Sequence, residues 1–156
     1  MPNWCHNIAL FRHNDPEIME ILKHGASKNE LFNEFIPLPS NEDIWHEWCI
    51  DNWGSKWDAT ILNTTLKPDG YYEISFRTPW SPPIPFYKTM LTLGFSVKAV
   101  YKETGIYFIG QFVEGNHSHF TLDYDTYVSL PEFILSYYKE EIEEEKELLF
   151  CPNDLN

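Results

Sequence analysis

Apolar and polar residues alternate from Asn3 to Arg12, with Trp4, Ile8 and Leu10 on one face and Cys5, Asn7 and Ala9 on the other, so the segment reads as a strand. The period then lengthens. In Asn14-Asp15-Pro16 through Gly25, Asp15 suits an N-cap, Pro16 the first helical position and Gly25 the stop, while Ile18, Ile21 and Leu22 form the buried stripe of a short helix. Phe32 to Ser40 carries prolines at 37 and 39 and is expected to be extended or a loop. Between residues 42 and 58, Ile44, Trp48 and Asp51 fall at helical spacing, with Trp45, Cys49 and Asn52 as the neighbouring row and Gly54 as the stop.

Further on, two β-rich runs, Ala59–Lys67 and Tyr71–Thr78, flank Pro68-Asp69-Gly70, a hairpin signature. Ser81 and the prolines after it open a helix carrying Phe86, Met90 and Leu93, closed by Gly94. Phe95–Tyr101, Ile106–Val113 and Phe120–Tyr124 read as three further strands, the first two joined around Thr104-Gly105. A terminal helix is expected from Pro131 to Leu149, with Leu135, Tyr138, Ile142 and Leu149 on a narrow stripe. Stripped of its extras the order is βαββαβ. The expected class is therefore α+β: a ferredoxin-like, split-βαβ antiparallel sheet with helices on one face, extra C-terminal strands and an acidic C-terminal helix. Residues 1–128 form the domain; 129–156 are a helix and tail that either pack on it or project from it.

Length and composition narrow the class. At 156 residues with 26 aromatics (11 Phe, 9 Tyr, 6 Trp), the chain has the size and apolar content of one folded domain. Its apolar runs are far shorter than the roughly 20 residues a membrane helix needs. The opening residues lack the basic and apolar regions of a signal peptide, so a cytoplasmic setting with Cys5, Cys49 and Cys151 as thiols is expected.

The net charge is −13, and it is unevenly placed. Glu30–Asp58 holds seven carboxylates and one lysine, Glu132–Asn156 eight carboxylates and two lysines, and the rest of the chain is close to neutral. A pI near 4.7 opposes direct nucleic-acid binding, which draws its affinity from Lys and Arg on phosphates. A solvated helix face with a solubility tail accounts for such charge runs. The functional reading is a carboxylate array that meets a basic protein surface. Charge alone does not choose between them.

Three blocks carry a family resemblance: Met1-Pro2-Asn3-Trp4-Cys5 with Asn7; Asn52-Trp53-Gly54-Ser55-Lys56-Trp57-Asp58-Ala59; and Phe76-Arg77-Thr78-Pro79-Trp80-Ser81-Pro82-Pro83. Tyr101 to Gly110 is a looser echo. Over residues 1–115 the chain resembles the YubB-like ferredoxin-like domain family, small proteins of phages, prophages and plasmids. The resemblance implies a ferredoxin-like core and a mobile-element setting in a bacterial cytoplasm. It brings no activity, cofactor or catalytic residue, and a ferredoxin-like core hosts many unrelated roles.

The side-chain inventory offers little catalytic chemistry. His46 with Cys49 suits one helical face and His117 with His119 one strand face, but no four-ligand metal spacing occurs, and His13 and His24 read as solvent-facing. Cys49 among tryptophans reads as a buried thiol rather than a nucleophile. No phosphate-cradling glycine motif is present, and no carboxylate pair stands out as a glycosidase pair. Phe76, Tyr107 and Phe108 mimic the stacking aromatics of an RNA-binding sheet, against the charge.

The expectation is thus a non-enzymatic binding module with no catalytic residue, metal or cofactor. Its partner would be a host protein with a basic, nucleic-acid-binding surface, with no membrane role and no direct nucleic acid. Such a module would inhibit a host defence complex in the manner of an anti-CRISPR or anti-restriction DNA mimic. Glu140, Glu141, Glu143, Glu144, Glu145 and Glu147, helped by Glu42, Asp43 and Glu47, would enter the basic channel. Trp45, Trp48, Trp53, Trp57 and Trp80 would supply the desolvated anchor. Structurally, the same tryptophans serve as slabs closing the sheet, with Gly54 as a turn and the Lys56 stem on an indole. A metal- or cysteine-dependent enzyme using His46 and Cys49, and a phage or plasmid assembly accessory, are the alternatives.

Overall fold

Strand β1 (Trp4–Arg12) lies in the middle of the sheet because both of its faces are covered: Cys5, Asn7, Ala9 and Phe11 are fully buried and Trp4, His6, Ile8 and Leu10 half-buried. The computed structural model describes residues 2–40 and 45–149. After β1 come α1 (Pro16–Ser27), α2 (Leu31–Phe35) and α3 (Trp45–Trp53), then β2 (Thr60–Leu66), β3 (Tyr72–Pro79), α4 (Ile84–Thr92) and β4 (Ser96–Glu103). The strands β5 (Phe108–Val113) and β6 (Asn116–Thr121) and the helices α5 (Tyr124–Tyr127) and α6 (Glu132–Leu149) complete the described chain. The molecule is an α+β protein with one antiparallel six-stranded sheet in the order β2-β3-β1-β4-β5-β6. No helix among the described residues is long and apolar enough to cross a membrane.

Each face of the sheet has its own core. On the first, Ala9, Phe11, Ile74, Phe76, Val97, Ala99 and Phe112 meet Leu22 of α1, Phe32 of α2, Trp53 of α3 and Phe86 and Met90 of α4. On the second, Val100 and Ile109, with Ile8 beside them, meet Ile134, Tyr138 and Ile142 of α6. Helices therefore cover both faces, not one as expected. The physical reason is that β4 and β5 offer apolar residues on both sides, and α6 fills the second. The packed stripe of α6 is Ile134, Tyr138 and Ile142, with Leu135 only partly buried; the helix lies on the sheet rather than projecting.

Four local expectations change. Gly25 is inside α1, buried against Glu34, and the helix runs on to Ser27. The segment after Glu30 forms α2, since the prolines restrain the chain only from Ile36 onward. An acceptor from elsewhere holds its start: the Asp58 carboxylate takes the N–H groups of Phe32 (2.8 Å) and Asn33 (2.9 Å). Strand β6 starts earlier than expected because Glu114 (φ 48°) and Gly115 (φ 95°) make a two-residue turn straight out of β5. His13 is structural rather than solvent-facing. Its Nδ1 accepts the Asp15 N–H (2.9 Å), which leaves Nε2 to donate to the Leu93 carbonyl (2.9 Å). Ile44, Glu42, Asp43 and Cys151 lie outside the described residues.

Candidate functional site

The three sequence blocks singled out above converge at one end of the sheet. Register places Trp4 opposite Pro79 and Cys5 opposite Thr78. Asn7 is fully buried and donates through Nδ2 to Thr78 Oγ1 (2.9 Å) and the Cys5 carbonyl (3.1 Å). Thr78 Oγ1 donates in turn to the Ser81 carbonyl (2.6 Å), and Ser81 Oγ donates to the carbonyl of Gly54 (3.0 Å). Trp80 N–H donates to the Asn3 carbonyl (2.8 Å), and Trp4 meets Trp57 edge-on at 6.0 Å. The looser echo joins them, since Cys5 also pairs with Glu103. That buried carboxylate accepts from the N–H groups of Gly105 and Ile106 and so shapes the β4–β5 turn. Gly54 sits at φ 77° against Pro85, where a Cβ would collide, so this corner requires glycine.

The tryptophans divide. Trp53 is 4% exposed core, its Nε1 donating to the Ile36 carbonyl (3.0 Å), and Trp48 packs edge-on against it. Trp45 and Trp57 are half-buried, and they line a cavity of about 280 Å³ together with Trp53. Trp80 is 54% exposed at φ 69°, a conformation uncommon outside glycine. Lys56 is exposed. Phe76 and Phe108 are buried, so they form no open stacking platform, while Tyr107 stands in a turn.

The glutamates divide too. Glu140, Glu143, Glu144 and Glu147 are exposed and recur at i, i+3, i+4 and i+7, one stripe on the side of α6 away from its packed residues Ile134, Tyr138 and Ile142. Glu141 and Glu145 turn inward to Lys102, which is 4% exposed: Glu145 makes a close ion pair with it and Glu141 stands at 3.5 Å. The stripe belongs to the second face of the sheet and Trp45, Trp48 and Trp53 to the first, so the two sets do not form one patch. Glu47 is exposed on α3.

Lys102 is part of a feature that sequence reading missed. Arg77, His6 and Lys102 stand in one cross-strand row on β3, β1 and β4, with Lys102 paired to the inward-facing Glu141 and Glu145 of α6. His6 shares hydrogen bonds with the hydroxyls of Tyr138 and Ser75, both at 3.2 Å, and Arg77 lies over the Trp4 ring at 4.9 Å. Burial lowers the His6 pKa, with Arg77 and Lys102 acting the same way and Glu141 opposing them. A base held below its unfolded value near 6.5 contributes stability above that pH and loses it as pH falls toward the folded value. Urea titrations at pH 7.5 and 5.5 should show a loss on acidification that is smaller in His6→Gln. Equal losses in the two proteins would remove His6 from this role.

His117 and His119 do share a face, as their spacing implies. Both reach the Tyr101 hydroxyl, at 2.7 Å from Nε2 of His117 and 2.9 Å from Nδ1 of His119. One phenolic proton serves one imidazole, so the other imidazole donates its N–H to the oxygen. Burial raises the Tyr101 pKa, and burial, His119 and Lys88 lower that of His117. His46 is exposed and lies tilted against Trp45, whereas Cys49 is buried with its thiol pKa raised by burial and by Asp58. No group of three or more His, Cys, Asp or Glu able to hold a metal occurs among the described residues. Comparison of the chain with protein-family models, curated proteins and solved structures finds no match.

Proposed function

We propose that this is a non-enzymatic protein-binding module, of the YubB-like kind carried by phages and plasmids, that inhibits a host defence or nucleic-acid-handling complex in the bacterial cytoplasm. The strand order β2-β3-β1-β4, with α1 and α4 at the two crossovers, supports a ferredoxin-like core. Convergence of the three motif blocks at one sheet end supports the family resemblance. The observation that carries the functional reading is the stripe Glu140, Glu143, Glu144 and Glu147. Four carboxylates at i, i+3, i+4 and i+7 repel one another along the helix, and they make no ion pair among the described residues. A basic channel that normally holds nucleic acid would relieve that repulsion and take the stripe in place of phosphates. Exposed Trp80 is the tryptophan best placed to add apolar contact area to a partner.

The test is a pull-down from bacterial lysate, with and without nuclease, comparing the wild type with a variant carrying lysine at 140, 143, 144 and 147. A nucleic-acid-handling complex retained after nuclease and lost with the variant is the expected result. The same complex held by both proteins would overturn charge mimicry, and self-association without a host protein would favour an assembly role.

A further inference from the structure

The cavity beside the motif end has an unusual wall. Three indoles, Trp45, Trp53 and Trp57, line it, together with Cys49 and two carboxylates, Asp58 and Glu30. No lysine, arginine or histidine is among its described lining residues. Asp58 is half-buried there and fixed by three backbone donors: the N–H groups of Phe32, Asn33 and Ala59, at 2.7–2.9 Å. It makes no ion pair among the described residues. A carboxylate held in an apolar wall without a counter-charge is costly, and a cation entering the cavity would offset that cost. Burial, reinforced by Glu30, raises the Asp58 pKa against those hydrogen bonds, the effect expected of an unneutralised site.

We propose that this cavity binds a methylated ammonium group, with Trp45, Trp53 and Trp57 supplying the aromatic wall and Asp58 and Glu30 the counter-charge. Indoles attract cations through the negative face of the ring, and aromatic walls of this kind suit quaternary ammonium groups. Methylation follows from the aromatic character of the wall. The Asp58 oxygens already receive three N–H bonds, and Trp53 Nε1 is a donor spent on the Ile36 carbonyl, so apart from Glu30 the wall meets a cation with ring surface, which suits N-methyl groups better than N–H donors. At about 280 Å³ the cavity lies at the small end of ligand sites and has room for a headgroup. Trp57 also meets Trp4 edge-on at 6.0 Å, and Trp4 itself carries Arg77 on its ring. This site is separate from the α6 stripe, so either assignment can fail without the other.

The ammonium can arrive free, as in choline, or on the trimethylated lysine of a peptide. Tryptophan fluorescence of the full chain, titrated with choline, with the neutral carbon isostere of choline, and with trimethyl-lysine and unmodified lysine peptides, separates the cases. Saturable binding of a methylated cation is expected, roughly tenfold tighter than that of the isostere or unmodified peptide. Choline binding as tightly as the trimethyl-lysine peptide assigns a free ligand; a clear preference for the peptide assigns a protein source. Trp57→Leu and Glu30→Gln should each weaken binding while thermal unfolding stays close to that of the wild type, whereas Asp58→Asn risks the start of α2. Equal binding of choline and its isostere, or no saturable change with either methylated probe, would overturn the assignment.

Discussion

Replacing Glu141 and Glu145 together with glutamine is expected to lower stability by about 3–5 kcal/mol, because it strands the Lys102 ammonium beneath α6. Lys102 is 4% exposed, so water cannot take over from the lost carboxylates without moving the helix. The reverse change should cost less. In Lys102→Met the carboxylates of Glu145 and Glu141, 24% and 62% exposed, can turn toward solvent. Combining Lys102→Met with both glutamines should recover most of the loss, since an apolar replacement of a buried ion pair is often close to neutral. Urea titration of the four proteins at neutral pH checks the series. A double glutamine variant within about 1 kcal/mol of the wild type would show that the pair is solvated in practice. The result also bears on function: of the six glutamates singled out on α6, Glu140, Glu143, Glu144 and Glu147 are the ones whose reversal tests partner binding without testing the fold at the same time.

Gly110→Ala is expected to cost about 3 kcal/mol, at the upper end of the range for overpacking. The new methyl would collide with the Tyr101 hydroxyl and lie 2.5 Å from the Ser118 carbonyl on the neighbouring strand. Tyr101 crosses over Gly110 to reach His117 and His119, so its ring can clear the methyl only by giving up both hydrogen bonds. The Ser118 contact is with backbone and cannot be relieved by a rotamer change. Tyr101→Phe, which removes the hydroxyl alone and leaves two exposed imidazoles to water, should cost about 1 kcal/mol. Thermal unfolding with a linked urea series distinguishes the two. Equal losses would mean that the tyrosine hydroxyl, and not the strand spacing, sets the need for glycine.

Much of the fold is legible in local pattern. The alternation in β1 separates Cys5, Asn7 and Ala9 from Trp4, Ile8 and Leu10 as the sheet does, and Pro68-Asp69-Gly70 turns the chain where its composition implies. Asp15 caps α1 through the N–H of Glu17 (2.9 Å). These features depend on side-chain period and backbone preference within a few residues. Helix α2 is not legible in this way, because the carboxylate that receives its first N–H groups belongs to Asp58, 26 residues away from Phe32. The candidate site divides likewise. The spacing of His117 and His119 shows that they share a face, yet nothing local indicates that Tyr101 reaches across a strand to both.

Periodicity, capping residues and charge counts are local properties, and they are enough to set the α+β class, most element positions, the acidic terminal helix and the tryptophan-rich segment. Long-range packing settles the rest: which glutamates face water and which face Lys102, which tryptophan is core and which reaches the surface, and that α6 covers the second face of the sheet. Each of these depends on strand register. A row such as Arg77, His6 and Lys102 exists only once three distant segments are aligned, and that alignment sets which charges are neutralised within the fold and which remain for a partner.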